Sequence, residues 1–193
     1  YVAEDDVERG VGSIGVYDAA DGYRRVGALP THGVGPHELV AIEGGRVLAV
    51  ANGGILTHPD TGRAKLNTDG PDSSLTYVEA SGGRLLDAVR LPGEHANLGI
   101  RHLAGLGDGG VVMGMQDEQP RGEVQPLAAL HRPGTLVRML EAPEAELAAF
   151  RGYVGSVAVS GDGTLVAASS PRGGVIGVWS AGSGAWLGCA PLP

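Results

Sequence analysis

Aromatic residues are scarce in this chain: one Phe, two Trp and five Tyr among 193 residues. A core must therefore be packed from Val, Leu, Ile and Ala, which suit sheets that approach one another closely. Cysteine is scarcer still. The lone Cys189 excludes an intrachain disulfide, and cysteine usage therefore does not fix the compartment. Basic residues are outnumbered, 14 Lys and Arg against 22 Asp and Glu, for a net charge of −8. Arg24-Arg25 is the only basic pair, which excludes a nucleic-acid groove or an anionic membrane surface as the partner. No apolar run reaches the roughly 18 residues needed to span a bilayer.

Glycine is what the chain has in excess, at 34 residues. These glycines sit in turns between apolar runs, the pattern of turn-rich β structure. One two-strand phrase occurs three times without a gap: PHELVAIEGGRVLAVAN (36–52), IRHLAGLGDGGVVMGMQ (100–116) and VGSVAVSGDGTLVAASS (154–170). A second phrase alternates with it, at 14–29, 75–91, more loosely 127–140, and 176–189. Joined, they form antiparallel four-stranded units about 50 residues long, the content of a β-propeller blade. A β-sandwich also has many short strands, but has no reason to repeat a phrase in register.

The expected organisation is an all-β partial propeller over 1–193. Residues 1–29 form an incomplete blade lacking its first strand, and 37–91, 100–141 and 154–189 form full blades. The chain opens at Tyr1-Val2-Ala3, which reads like the end of a second strand (compare Ala49-Val50-Ala51). This predicts a missing N-terminal part and about half of a closed ring.

In such blades the connections alternate between two faces. One face receives terse turns such as Gly107-Asp108-Gly109-Gly110. The other receives long polar loops: 4–13, 30–36, 53–73, 92–99, 117–125, 142–153 and 170–174. Long loops on a rigid scaffold are where binding and catalysis concentrate.

The opening residues of the innermost strands, His37-Glu38, Arg101-His102 and Gly155-Ser156, border the central channel. Imidazole, carboxylate and guanidinium around one funnel suit an anion, a metal ion or a polar substrate. The bland alternative is that they bond neighbouring backbone and line a wet channel. His32, His37 and His102 are the candidate metal ligands, although no pair has tight ligand spacing on one element. His58 sits in the turn His58-Pro59-Asp60-Thr61-Gly62 of the 53–73 insertion, which reads as a lid or docking loop. Asp60, Asp69 and Asp72 there lack EF-hand spacing for calcium. Arg172, in Ser170-Pro171-Arg172-Gly173-Gly174, is a candidate anion contact. Pro143–Arg151 is the one predicted helix, with proline in its first turn and Gly152 after it. The Gly-x-Gly patterns precede strands, so they are hairpin turns and not phosphate cradles. No Ser-centred nucleophile elbow is present.

THGVGPHELV, VANGGILTHPDTGRAKLN, LGIRHLAG and YVGSVAVSGDGTLVAASSPRGGVIGVW resemble the bacterial propeller family DUF1513 over nearly the whole chain, the match falling on its C-terminal half. The most specific parts are GVGPHEL, NGGI-THP-TGR-KLN and SPRGG. The resemblance implies a periplasmic seven-bladed propeller of unknown function, exported by a signal outside this chain. It also implies an iron- or haem-uptake setting with imelysin-like or di-haem protein partners, and a binding or scaffolding role. It brings no established catalytic residues. A second resemblance links Ile100-Arg101-His102-Leu103 to the Pro-Arg-His-Leu stretch of propeller lactonases, with Ile100 where proline is usual. That alternative implies a hydrolase in which Glu38, His37, Arg101 and His102 polarise a lactone carbonyl and position water.

Overall fold

Apolar runs punctuated by Gly, Asp and Pro turns become short antiparallel strands in the computed structural model of the chain. The described residues are 1–6, 8–62, 64–67 and 69–192; Val7, Arg63, Thr68 and Pro193, the first three within the loops singled out above, lie outside them. The first sheet has three strands, β1 (Val2–Asp6), β2 (Val11–Asp18) and β3 (Arg24–Pro30). The second comprises β4 (Pro36–Ile42), β5 (Val47–Asn52), β6 (Ser74–Glu79) and β7 (Leu85–Val89). The third comprises β8 (Leu98–Gly105), β9 (Val111–Asp117), β10 (Ala128–His131) and β11 (Arg138–Met139). The fourth comprises β12 (Ser156–Val159), β13 (Leu165–Ser170), β14 (Val175–Ser180) and β15 (Trp186–Pro191). Each sheet is an antiparallel meander in chain order, and the sheets stack side by side as propeller blades.

The stacking shows in the contacts between sheets. β4 neighbours β8 and β8 neighbours β12, so these first strands run side by side along the inner edge. β5 touches β8 and β9 touches β12. β1 touches β4 in the same way, so β1 takes the place of a second strand.

Burial follows position. β5 is buried at every residue, because second strands are covered on both faces by neighbouring sheets. The outer strands β3, β7 and β15 carry a partly exposed pattern. The main core lies between the second, third and fourth sheets, around Leu75, Leu98, Ile100, Met113, Met115 and Leu130. A smaller cluster of Ile14, Leu48, Val50 and Val78 joins the first two sheets. The large aromatics collect in the last sheet, where Trp179 stands edge-on to Trp186 and near Phe150.

The three copies of the repeated phrase fold alike, with one difference that the gapless alignment does not reveal. Glu38 faces Ala51 and Ser156 faces Ser169, but His102 faces Gly114 and not Met115. The shift comes from a tighter turn: Leu106 N–H donates to Gly110 O across one residue fewer than Ser160 N–H to Leu165 O in the third copy. A side chain at Gly114 would collide with Val154 and Val157, so the register puts a glycine where the fourth sheet presses closest.

The predicted helix exists as α1 (Glu144–Ala149) and is shorter than expected. Phe150 closes it, and Arg151 and Gly152 both turn left-handed, with φ of 51° and 67°. No helix among the described residues is long and apolar enough to cross a membrane. The long loops knit together at one end of the blades. Gly12 N–H donates to Gly33 O, Gly53 N–H to Gly35 O, Gly54 N–H to Val34 O and Asp117 N–H to Gly152 O.

Candidate functional site

The inner strands of the second and third sheets carry β-bulges at matching places. Pairing runs Pro36 to Asn52 and then Glu38 to Ala51, leaving His37 out of the ladder. It runs Ile100 to Met115 and then His102 to Gly114, leaving Arg101 out. A bulge re-aims the side chains around it. Here it lets two successive residues of each strand, His37-Glu38 and Arg101-His102, meet across the seam between the sheets. β12 has no such irregularity, and its Gly155-Ser156 adds no ionisable group.

Across that seam, His102 Nδ1 lies 3.0 Å from Glu38 Oε2, which also accepts the Leu103 N–H at 3.3 Å. The carboxylate is an acceptor, so Nδ1 of His102 carries the proton and Nε2 the lone pair when the ring is neutral. That Nε2 has no hydrogen-bond partner among the described residues and is closed off from water. His37 Nδ1 lies 3.1 Å from the Arg101 carbonyl oxygen, which assigns its proton in the same way. The two rings stand edge to face with centroids 5.0 Å apart. Although His37 is exposed overall, the desolvation its ring does undergo lowers its pKa, and the charges of Arg101 and His102 lower it further. His37 is therefore neutral at pH 7, with its Nε2 free to accept a proton or to ligate.

The Arg101 side chain goes elsewhere. Its Nε and one terminal nitrogen donate to Glu118 Oε1 at 3.1 and 2.5 Å. The other carboxylate oxygen accepts from Lys65 Nζ at 2.7 Å. The Glu118 side chain is 1% exposed. Burial raises its pKa, but the hydrogen bonds and charges of Lys65 and Arg101 outweigh this and hold it below the ordinary value. Glu118 thereby pins the 53–73 insertion, through Lys65, beside the inner strand β8. The packing requires Gly99, where a Cβ would press on both Glu118 and Gly53 O.

Sequence reading missed Glu118 and Lys65. The available signal was positional: Glu118 directly follows β9 at the long-loop end, one residue beyond Asp117.

The other predicted residues lie apart from this cluster. His32 Nε2 lies 2.8 Å from Gly83 O in the β6–β7 turn, so the structure does not bring His32, His37 and His102 together. No group of three His, Cys, Asp or Glu side chains among the described residues could hold a metal ion. His58 closes its own turn, its Nδ1 accepting the Asp60 N–H at 3.2 Å. Asp72 pairs with Arg90 and Asp60 stands near His58, so the three insertion aspartates do not form a calcium loop. Arg172 lies over the Tyr153 ring, 4.4 Å from its centroid.

The arrangement can do three things chemically. It can offer imidazole Nε2 to a ligand, steady a histidine with a carboxylate as a general base, and present an Arg-Glu-Lys bridge at its rim.

Among solved structures, the chain is similar to the dihydro-heme d1 dehydrogenase NirN in complex with DHE, with a TM-score of 0.61 and 13% sequence identity. The alignment covers 100% of this chain and 37% of that one, and at this identity the likeness is one of fold, a β-propeller. No curated protein matches the sequence. The family model of DUF1513, described as a protein of unknown function, matches residues 1–193. By sequence along residues 1–193, the chain belongs to the DUF1513 family.

Proposed function

We propose that this propeller binds a ligand at its inner rim through His37, backed by His102, and that the ligand is an iron-bearing group of the haem type. The observation that carries the reading is the pair of neighbouring imidazoles. Each has its Nδ1 committed to an oxygen acceptor, and neither Nε2 has a hydrogen-bond partner among the described residues. A carbonyl or carboxylate on Nδ1 fixes the ring and raises its basicity, as in metal-ligating histidines. A bare metal ion would need three or four protein donors, which this rim lacks. Haem iron can be held by a single imidazole, which the exposed His37 would supply, while His102, its Nε2 enclosed, would stand behind it. The ligand would bring redox-active iron, and the chain's residues would orient it and exclude water. The solved neighbour's description in complex with DHE is compatible with this ligand class.

A binding or scaffolding role in periplasmic iron or haem uptake, with imelysin-like or di-haem protein partners, completes the proposal and rests on family resemblance. Titration of the intact protein with haemin and with ferrous iron tests it. A saturable shift of the haemin absorbance, without stoichiometric uptake of free iron, is the expected result. Absence of any haemin binding contradicts it.

One observation favours a second reading. Glu38, His102 and the Leu103 N–H form a carboxylate–histidine pair beside a second neutral histidine, which is hydrolase geometry. Against it, Arg101 is engaged with buried Glu118 and not aimed at the pair. A panel of aliphatic and aromatic lactones decides: turnover abolished by His102→Ala supports hydrolysis, and no turnover removes it.

A further inference from the structure

Away from the inner rim, a cavity of about 320 Å³ opens at the long-loop end between the 117–127 loop, α1 and Arg172. Its floor includes the buried Leu127 and Leu147, and Arg151 and Arg172 line it as well. These two cations are unusual in this chain. Every other described Arg or Lys, apart from Arg9 and Arg121, meets a carboxylate or a backbone carbonyl. Arg151 and Arg172 meet neither, and Arg121, equally free, sits on the loop that forms the cavity wall. An acidic protein has carboxylates to spare, so guanidinium groups left unpaired around a half-apolar cavity are available to a ligand.

The loop that carries Arg172 is held in place. Ser170 Oγ donates to Phe150 O at 2.8 Å and accepts the Gly173 N–H at 3.1 Å. This folds the Ser170–Gly174 loop onto the end of α1. The loop lies so close that a Cβ on Gly173 would land on the Ala149 carbonyl oxygen. Arg172 thereby stands over the Tyr153 ring, its Cζ 4.4 Å from the centroid, a cation–π contact that leaves hydrogen-bond donors for an oxyanion. Arg151 takes a left-handed backbone conformation, φ 51°, ordinarily left to glycine. The chemistry of the acids on the lining fits too. Asp117 Oδ1 is committed to Asn97 Nδ2 and the Gln119 N–H, and Glu123 is the remaining carboxylate.

We propose that this cavity binds a small carboxylate with an apolar body, its carboxylate on Arg151 and Arg172 and its body on Leu127 and Leu147. The site is separate from the inner rim and does not depend on the proposal made for it.

Calorimetric titration of the intact protein with phenylacetate, and with 2-phenylethanol as the uncharged control, tests this. Phenylacetate is expected to bind at least about tenfold more tightly than the alcohol, the margin that a charge-assisted guanidinium pair supplies. Arg172→Gln and Arg151→Gly should each remove most of that margin, Glu123→Gln should strengthen binding, and His37→Ala should leave it unchanged. Arg151→Gly relieves the backbone strain, so its thermal midpoint should not fall and its loss of binding cannot be ascribed to unfolding. Equal binding of acid and alcohol, no binding of phenylacetate, or binding indifferent to both arginine substitutions overturns the proposal.

Discussion

Glu38 and His102 lie 64 residues apart in sequence, on the first strands of adjacent sheets, and meet at 3.0 Å. The contact exists because two bulges, at His37 and Arg101, turn two inner strands toward the same seam. It couples the sheets as well as the side chains. A double-mutant cycle of Glu38→Ala and His102→Ala, read by chemical denaturation, should return a coupling of about 1 kcal/mol, the usual value for a partly exposed hydrogen-bonded pair. Strictly additive losses would mean that the two groups do not hold each other.

The Glu118 bridge should be the more costly to break. Its carboxylate is buried and both partners reach it from other elements, Lys65 from the 53–73 insertion and Arg101 from β8. Glu118→Ala is expected to cost about 2–3 kcal/mol, below the full range for a buried pair because the freed cations can resolvate. Arg101→Ala should cost more than Lys65→Ala, since Lys65 is 46% exposed and Arg101 23%. Cleavage within the insertion during limited proteolysis should speed up in the Glu118 and Lys65 variants. An insertion as resistant as in the parent would show that the bridge does not pin it.

Acid should destabilise the fold through Glu118, His37 and the buried His131, all acting in the same direction. Glu118 has a depressed pKa, so its contribution is complete above the ordinary carboxylate value and is lost as pH falls through its lower folded value. His37 also has a depressed pKa, so the unfolded chain takes up its proton first. Its stability deficit starts below about pH 6.5, the ordinary histidine value, and grows until the folded ring itself protonates. Urea midpoints measured between pH 8 and 4 should fall monotonically, and His37→Ala should flatten the upper part of the curve. A maximum near pH 5 would contradict this assignment.

Glycines differ in what they tolerate, and two of them form a matched test. Gly173→Ala would drive a methyl group into the Ala149 carbonyl and should cost about 1–3 kcal/mol as overpacking. Gly161→Ala meets open space and should stay within about 0.5 kcal/mol of the parent. Thermal melts of both variants suffice. Equal losses would show that the Ser170–Gly174 loop is not seated on α1.

The blades were legible because a repeat in register is a long-range signal carried by local sequence. Apolar alternation and glycine turns at 36–52, 100–116 and 154–170 mark the same hairpin three times. The seam was half legible: His37, Glu38 and His102 stand at the predicted strand starts and do come together, while the Arg101 side chain turns to Glu118. What stayed hidden depends on three-dimensional packing. The one-residue shift of β8 against β9 is set by a turn that any Gly-rich phrase satisfies. Glu118 gave no sign of burial, because a glutamate after a strand is ordinarily solvated, and its cover comes from distant residues, Lys65 of the 53–73 insertion and Arg101 of β8. His32 looked equivalent to His37 across five residues, yet a left-handed backbone at His32, φ 58°, accompanies its bond to the β6–β7 turn.

The central claim is that the rim imidazoles bind a haem-type ligand. The most direct measurement is absorbance titration of the intact protein and of the His37→Ala and His102→Ala variants with haemin. The account predicts a saturable spectral change near one equivalent in the parent and a loss of about tenfold or more in affinity on removing the His37 imidazole, with a smaller loss on removing His102 behind it. A parent protein that leaves the haemin spectrum unchanged, or variants that bind as tightly as the parent, would contradict it.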